Sequence, residues 1–308
     1  MKPLAKYLAR RLAASVLILL GVVTITFCLI FILPADPVTQ MAGPHATPEV
    51  VASIRKENGL DRPLPEQYLT YVGNLLHGNL GRSYIQKSEV AELVMDRLPA
   101  TLLLMLGAIF FELLIGIPLG ILAAARRGKI DRGIMIAAFA GVSAPQFVVG
   151  LILLYVFAYV IGWFPLSGYG GLSHLILPAL TLGIGGGGWY ARVLRSNLLE
   201  VMRQDYIRTA RAKGLGERKV VLVHALRNAI LPAVAMVGLD IGTFMGGAVV
   251  VETVYGWPGI GQLAWQGIVR VDSPIIMGVT LVAAVAIVIG NLLADLVTPL
   301  IDPRVRLR

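Results

Sequence analysis

The sequence predicts an all-α membrane protein with six spanning helices and both termini on the cytoplasmic side. Three observations carry this. The chain is 56% hydrophobic with a mean hydropathy of +0.76, and 15% of its residues are charged; soluble domains carry about 25%. Six stretches are long and apolar enough to supply the roughly 20 helical residues that a bilayer requires. The basic residues also fall on alternate sides of those stretches. A chain segment in lipid must satisfy its own backbone polar groups, so each stretch reads as a helix.

The first stretch, 12–33, carries no charge. Its 22 residues exceed the roughly 7–15 of a signal-peptide core, and Pro34-Ala35-Asp36-Pro37 is a poor cleavage site, so it reads as a retained helix. The two prolines stop it. Residues 34–99 form the longest piece outside the membrane. A helix is expected over 48–58, with Thr47 at the N-cap, Pro48 at the first helical position and Gly59 beyond the end. A second is expected over 66–76, where Tyr68, Tyr71, Val72, Leu75 and Leu76 fall at helical spacing. Two helical patterns in one loop point to an external docking cap.

The second span, 100–125, holds Glu112 and a Gly116–Gly120 step; the third, 134–161, is uncharged and reads as one helix. The fourth, 172–191, is the weakest, with His174 near its start and four glycines in a row at 185–188. The fifth, 229–251, holds only Asp240 and repeats glycine every four residues at Gly238, Gly242 and Gly246. Small residues at that spacing allow close helix packing. The sixth is 275–294.

Of the 27 lysines and arginines, 20 lie in the first 11 residues, the 126–133 loop, the 192–228 loop and the tail after 301. The basic side is cytoplasmic. The net charge of +9 is thus mainly a topology signal, and the lipid bilayer rather than nucleic acid is the expected environment. Cys28 is the only cysteine, and the four histidines lack metal-ligand spacing, so no metal site is expected in this chain. There is no G-x-x-x-x-G-K-[ST] phosphate loop; Leu166-Ser167-Gly168-Tyr169-Gly170 stands in an uncharged external loop and reads as coincidence.

The loop at 192–228 is more patterned than a topology loop requires. From Leu198 a helix is expected whose one face carries Leu199, Met202, Tyr206 and Ala210. Gly214-Leu215-Gly216 breaks it. A second helix is expected from Glu217, an acid suited to a first turn, and Pro232 suits the first turn of the next span. The shape is helix, tight turn, and helix returning to the membrane.

The stretches DYIRTARAKG (205–214) and HALRNAILP (224–232) resemble the cytoplasmic coupling loop of ABC importer permeases. Against the general pattern E-A-A-x-x-x-G-x9-I-x-L-P, only Ala210, Gly214 and Leu226 agree. Arg208, Thr209, His224 and Arg227 depart from it, and those departures resemble the B-type permeases of dipeptide, oligopeptide, glutathione and nickel importers. Arg97-Leu98-Pro99-Ala100-Thr101 and Glu252-Thr253-Val254-Tyr255-Gly256-Trp257-Pro258-Gly259 fit the same branch, and the resemblance spans essentially the whole chain. It implies a type I ABC importer permease fold as one domain in the bacterial inner membrane. It implies a homologous C-type permease, two ABC ATPase subunits inside and a substrate-binding protein outside. ATP and Mg would be bound by the ATPases, so this chain would need no cofactor and catalyse nothing. The coupling contact would fall on Arg208, Thr209, Ala210, Lys213, Gly214, Leu215, Glu217 and His224. The cargo would be a di- or oligopeptide, glutathione, an opine or a nickel chelate.

Two acids lie inside spans, where burial of charge is costly and function is the first hypothesis. Asp240 reads equally as a contact for a cationic group of the cargo or as a hydrogen-bonded structural acid. Glu112 is the second candidate for the substrate path, with a structural role favoured. The rival class is an ion-gradient-driven secondary transporter. It would need an embedded relay of ionisable groups, and it leaves the 192–228 loop without a role.

Overall fold

A computed structural model describes residues 2–32, 37–43, 45–126 and 128–301. The expected stop at 34–36 and the basic tail after 301 lie outside the described residues. Every element among the described residues is helical, apart from one isolated bridge between Arg82 and Glu89. Three helical segments are long and apolar enough to cross a bilayer unaided: Arg10–Ile30, Val90–Ala125 and Ser273–Leu293. Two bent pairs qualify if each counts as one span: Lys129–Ser143 with Gln146–Val160, bent by 102°, and Glu217–Ala229 with Leu231–Met245, bent by 48°. The described residues therefore hold three to five candidate spans.

This differs from the expectation in three places. The third stretch is not one helix. Pro145 cannot continue an α-helix and disfavours helical backbone at the residue before it. Ala144 accordingly takes an extended conformation, and the chain restarts at Gln146. The fourth stretch does form a 30-residue helix, Leu172–Val201. It is not among the candidate spans, because His174, Pro178 and the glycine run lower its apolarity. The fifth ends early, at Met245, and Gly247 then turns the chain with φ +93°.

The chain divides into two compact units. The first comprises Met1–Thr101, Met245–Val249 and Pro258–Val288. Its long helix α1 (Lys2–Ile32) carries Phe27, which packs edge-on to Tyr68 at 5.2 Å and stacks on Tyr71 at 6.1 Å. The Thr24 and Tyr68 hydroxyls are 2.7 Å apart. The two cap helices run over Pro48–Glu57 and Leu64–Leu76, close to the expected bounds. Thr47 takes the N-cap position with extended backbone, but its hydroxyl makes no capping bond. Gly59 adopts φ +65° beyond the first helix, where Leu60 N–H closes back on the Arg55 carbonyl at 2.9 Å, a Schellman-type stop. Asp272, 1% exposed, accepts bonds from the Ser83 hydroxyl (2.5 Å) and from the Tyr84 and Ile85 amides (3.2 and 3.1 Å). That clamp ties residues 83–85 to the start of the last helix. Burial and the Asp272 charge push the Tyr84 phenol up to about 12.

The second unit comprises Leu102–Phe244, Val250–Trp257 and Ile289–Arg308. It holds most of the helix Val90–Ala125 (α2), the bent pair's first half Lys129–Ser143 (α3), the helix Leu172–Val201 (α4) and the loop that follows it. Its central feature is the packing of α4, whose glycines face backbone on two sides. A methyl group added at Gly183 would lie 2.4 Å from the Phe111 Cβ, and at Gly187 2.9 Å from the Ile115 Cβ, both on α2. Added at Gly188 it would lie 2.5 Å from the Ala138 carbonyl oxygen on α3. From α2, Gly116 and Gly120 answer in kind against Tyr190 and Ala191. The Gly116–Gly120 step is thus a packing device. So are Gly238 and Gly242, whose backbone atoms lie 2.9 and 3.1 Å from where a Cβ on Gly290 would stand.

Candidate functional sites

The loop at 192–228 is built on a small core of its own. Leu194 and Leu198 at the end of α4, Ile207 and Ala210 in the short helix Asp205–Ala212 (α5), and Val220, Val221, Ala225 and Ala229 beyond the turn bury one another. This corrects the expected helical face. The chain does not run as one helix from Leu198; it breaks after Val201 and restarts at Asp205. The break rotates the second half, so Ile207 is buried and Tyr206 is 42% exposed. The Tyr206 hydroxyl then accepts a bond from the Asn228 amide at 2.7 Å.

Helix α5 ends at Ala212 and Gly214 takes φ +77°, which reverses the chain. The next helical turn starts at Glu217, as its charge suggests. Across the turn Arg211 grips Glu217 with two bonds of 3.0 and 2.7 Å. The guanidinium holds the Glu217 carboxyl below its usual range. The remaining site candidates divide by face. Ala210 is in the loop core and Leu215 packs against it. His224 is half-buried in a wide-turn helical segment, Val220–Ala225. Thr209 donates its hydroxyl to the Asp205 carbonyl at 3.0 Å. Arg208 stands outward in an exposed 3.2 Å pair with Asp205, and Lys213 caps α5 in solvent. The loop is therefore a preformed knob with a dry base and a basic tip. A further ion pair stands near its root: Arg195 of α4 binds Asp131 of α3 through two bonds of 2.5 and 2.6 Å and holds that carboxyl below its usual range.

The structure also brings Glu112 and Asp240 to one cavity of about 240 Å³, lined by Gly141, Val142, Ala144, Gln146, Val149, Thr181, Leu182, Gly185, Gly186, Thr243 and Phe244. Asp240 accepts a hydrogen bond from the Tyr190 hydroxyl. Glu112 is 3% exposed, and its Oε2 has no partner. Its carboxylate lies directly over Gly186, where a Cβ would stand 1.7 Å from Oε1. Among the described residues no group of three or more His, Cys, Asp or Glu is placed to hold a metal. The sequence singled out both acids but not their pairing, nor Tyr190 and Gln146. Pro145, which breaks the third stretch and sets Gln146 at the head of a new helix, was the available signal.

Residues 116–307 match the family described as binding-protein-dependent transport system inner membrane component, and residues 4–105 match the N-terminal part of such components. The chain is 42% identical to the oligopeptide transport system permease protein AppB of Bacillus subtilis (strain 168), over 98% of this chain and 99% of that one. It is 40% identical to the di/tripeptide transport system permease protein DppB of Pseudomonas aeruginosa (97% and 98% covered). It is 38% identical to the glutathione transport system permease protein GsiC of Salmonella choleraesuis (97% and 98% covered). Among solved structures, the MetNI methionine ABC transporter in an inward facing conformation matches with a TM-score of 0.59 at 19% identity, covering 68% of this chain and 96% of that one.

The fold and these matches define a helical membrane permease of the ABC importer class. The chain belongs to the family of binding-protein-dependent transport system inner membrane components, and it is a membrane-spanning permease subunit of such a system. The ion-gradient alternative finds no support in this membership.

Proposed function

We propose that the chain is the B-type permease of an ATP-driven importer of di- or oligopeptides, with glutathione, opines and nickel chelates as the neighbouring cargo classes. In this reading α4 is the fourth of six spans, its low apolarity being acceptable because its glycine faces are covered by protein rather than lipid. Both termini are cytoplasmic, residues 34–99 form the external cap over a single permease domain, and the 192–228 loop faces the ATPases. The chain pairs with a homologous C-type permease, receives cargo from an extracytoplasmic binding protein, and hydrolyses nothing itself. ATP and Mg are bound by two partner ATPase subunits.

The observation that carries the reading is the loop at 205–232. A knob with its own dry core transmits force better than a flexible loop would, because packed interiors resist compression. Its basic tip, Arg208 and Lys213, suits an acidic rim on the partner and sets encounter and register more than affinity. ATP-driven approach of two ATPases would push this knob and rock α4, to which it is fused.

Reconstitution tests this. Proteoliposomes holding both permeases and both ATPases should take up labelled dipeptide only with ATP inside and binding protein outside. The isolated chain should show no ATPase activity. Uptake by this chain without the ATPases would overturn the proposal.

A further inference from the structure

The cavity that holds Glu112 and Asp240 is built for a guest. Its two carboxylates face one space, and among the described residues no lysine, arginine or histidine lines it. Asp240 is oriented by the Tyr190 hydroxyl. Glu112 is 3% exposed, yet among the described residues its Oε2 meets no donor or acceptor. That vacancy persists in either protonation state. An ionised Oε2 lacks a donor, and a protonated one lacks an acceptor. Buried polar atoms are almost always satisfied, so an orphan of this kind calls for a cause.

The surroundings show that the arrangement is specific. Gly186 leaves room for the Glu112 carboxylate, since any side chain there would occupy the place of Oε1. The break at Ala144-Pro145 adds Gln146, and Thr181 and Thr243 contribute hydroxyls. The Thr243 hydroxyl donates to the Leu239 carbonyl, which leaves its oxygen free to accept, whereas the Thr181 hydroxyl is engaged by the Leu177 carbonyl and the Tyr255 hydroxyl. Irregular backbone at membrane depth is tolerated where it lines a cavity, and discontinuous helices mark transport sites.

We infer that this cavity is a transit subsite for a primary ammonium group, with Glu112 Oε2 as its principal acceptor and Asp240 as the second. An ammonium has three donors and no acceptor, which matches two carboxylates with an amide or hydroxyl oxygen as the third. The volume of about 240 Å³ takes an amine with a short side chain rather than a whole peptide. The assignment of the ammonium to the cargo rests on the translocation reading given above; the site's preference for cations does not.

The test separates the two. In the assembled transporter Cys28 is replaced by alanine and Thr243→Cys places one thiol in the cavity. Its rate of modification by an ammonium-bearing methanethiosulfonate is compared with that by a neutral methyl reagent, each normalised to a free thiol. The cationic reagent should react about tenfold faster, the low end of electrostatic steering. Glu112→Gln should cut that preference several-fold with the Tyr190–Asp240 bond left in place, Glu112→Asp should keep most of it, and Glu112→Gln with Asp240→Asn should abolish it. Equal rates for the two reagents, or a preference indifferent to Glu112→Gln, would overturn the site. Translocated dipeptide with a free amino group should slow the cationic reaction during turnover. A cation preference that dipeptide turnover leaves untouched keeps the ammonium site and removes the peptide as its occupant.

Discussion

Gly214 in the 192–228 loop and Gly183, Gly186 and Gly188 in α4 are the same residue type used for opposite reasons. Gly214 sits at φ +77° with nothing within 4 Å of where a Cβ would stand. It has space and needs a torsion. The α4 glycines have ordinary helical torsions and no space, with backbone or side chain 1.7–2.5 Å from an added Cβ. Glycine inside a helix costs up to about 1 kcal/mol against alanine, so several on one helix are tolerated only where contact offsets the loss. Without a hydrophobic drive between spans, that contact is close backbone approach. One glycine sets a turn, and the others set a packing contact.

Substitutions should split along this line. Gly183→Leu should have the largest effect. Its Cβ would meet Phe111 at 2.4 Å and backbone at 3.2 Å, and over-packing of this kind costs roughly 3 kcal/mol or more. The expected result is a collapse of the melting temperature of the detergent-purified complex, with little folded material. Gly214→Val should come next. A β-branched residue at positive φ is strained by about 1–2 kcal/mol, but it meets no clash, so the chain should remain assembled while transport and ATP hydrolysis uncouple. Gly214→Asn, which tolerates that torsion, should retain coupling. Normal coupling in the valine variant would remove the turn from the docking contact.

The two kinds of glycine were not equally legible. Gly214 stands between a helical pattern and an acid-led second helix, and local chemistry suffices to read a turn there. The run at 185–188 looked like a weakness in the expected fourth span, because the atoms that fill the space come from Glu112, Ile115 and Ala138, far away in sequence. The same distinction governs the rest. Pro145 carried a local veto on helix that overrode the apolar run around it, and reading the third stretch by hydropathy alone missed the break. The loop face was misassigned because one unbroken period was extended across residues 202–204, where the chain turns. Glu112 and Asp240 were visible as costly residues. Their shared cavity was not, since it depends on the packing of α2, α3, α4 and the helix Leu231–Met245.

The smaller predictions concern the ion pairs that brace each side. Asp131→Asn removes the bidentate grip on Arg195 that ties α3 to α4 beside the glycine contacts. The pair is partly exposed, 29% and 14% for the two side chains, so about 1 kcal/mol of stability is expected to go. The pH dependence has a definite sign. The folded carboxyl is held below its unfolded value, so the contribution is fully present above the unfolded pKa of about 3.9 and is lost as pH falls through the lower folded value. The melting difference between the native chain and Asp131→Asn should therefore shrink on acidification. A difference constant down to pH 3 would show that the contact acts by shape alone.

Arg211→Ala probes the open side and should do least to stability. Arg211 and Glu217 are 40% and 59% exposed, and an exposed pair contributes roughly 0.2–1 kcal/mol. The two side chains nevertheless bracket the Gly214 turn, and fixing the turn's angle is worth more to a knob under load than to the resting fold. Coupling should fall measurably while the melting temperature hardly moves. High salt should reproduce part of the defect in the native complex, because exposed charges are screened within about 10 Å at 0.1 M. Charge reversal of both partners, Arg211→Glu with Glu217→Arg, should restore the turn and recover coupling. If the double reversal stays uncoupled, Arg211 acts on the partner ATPase directly and not through the turn.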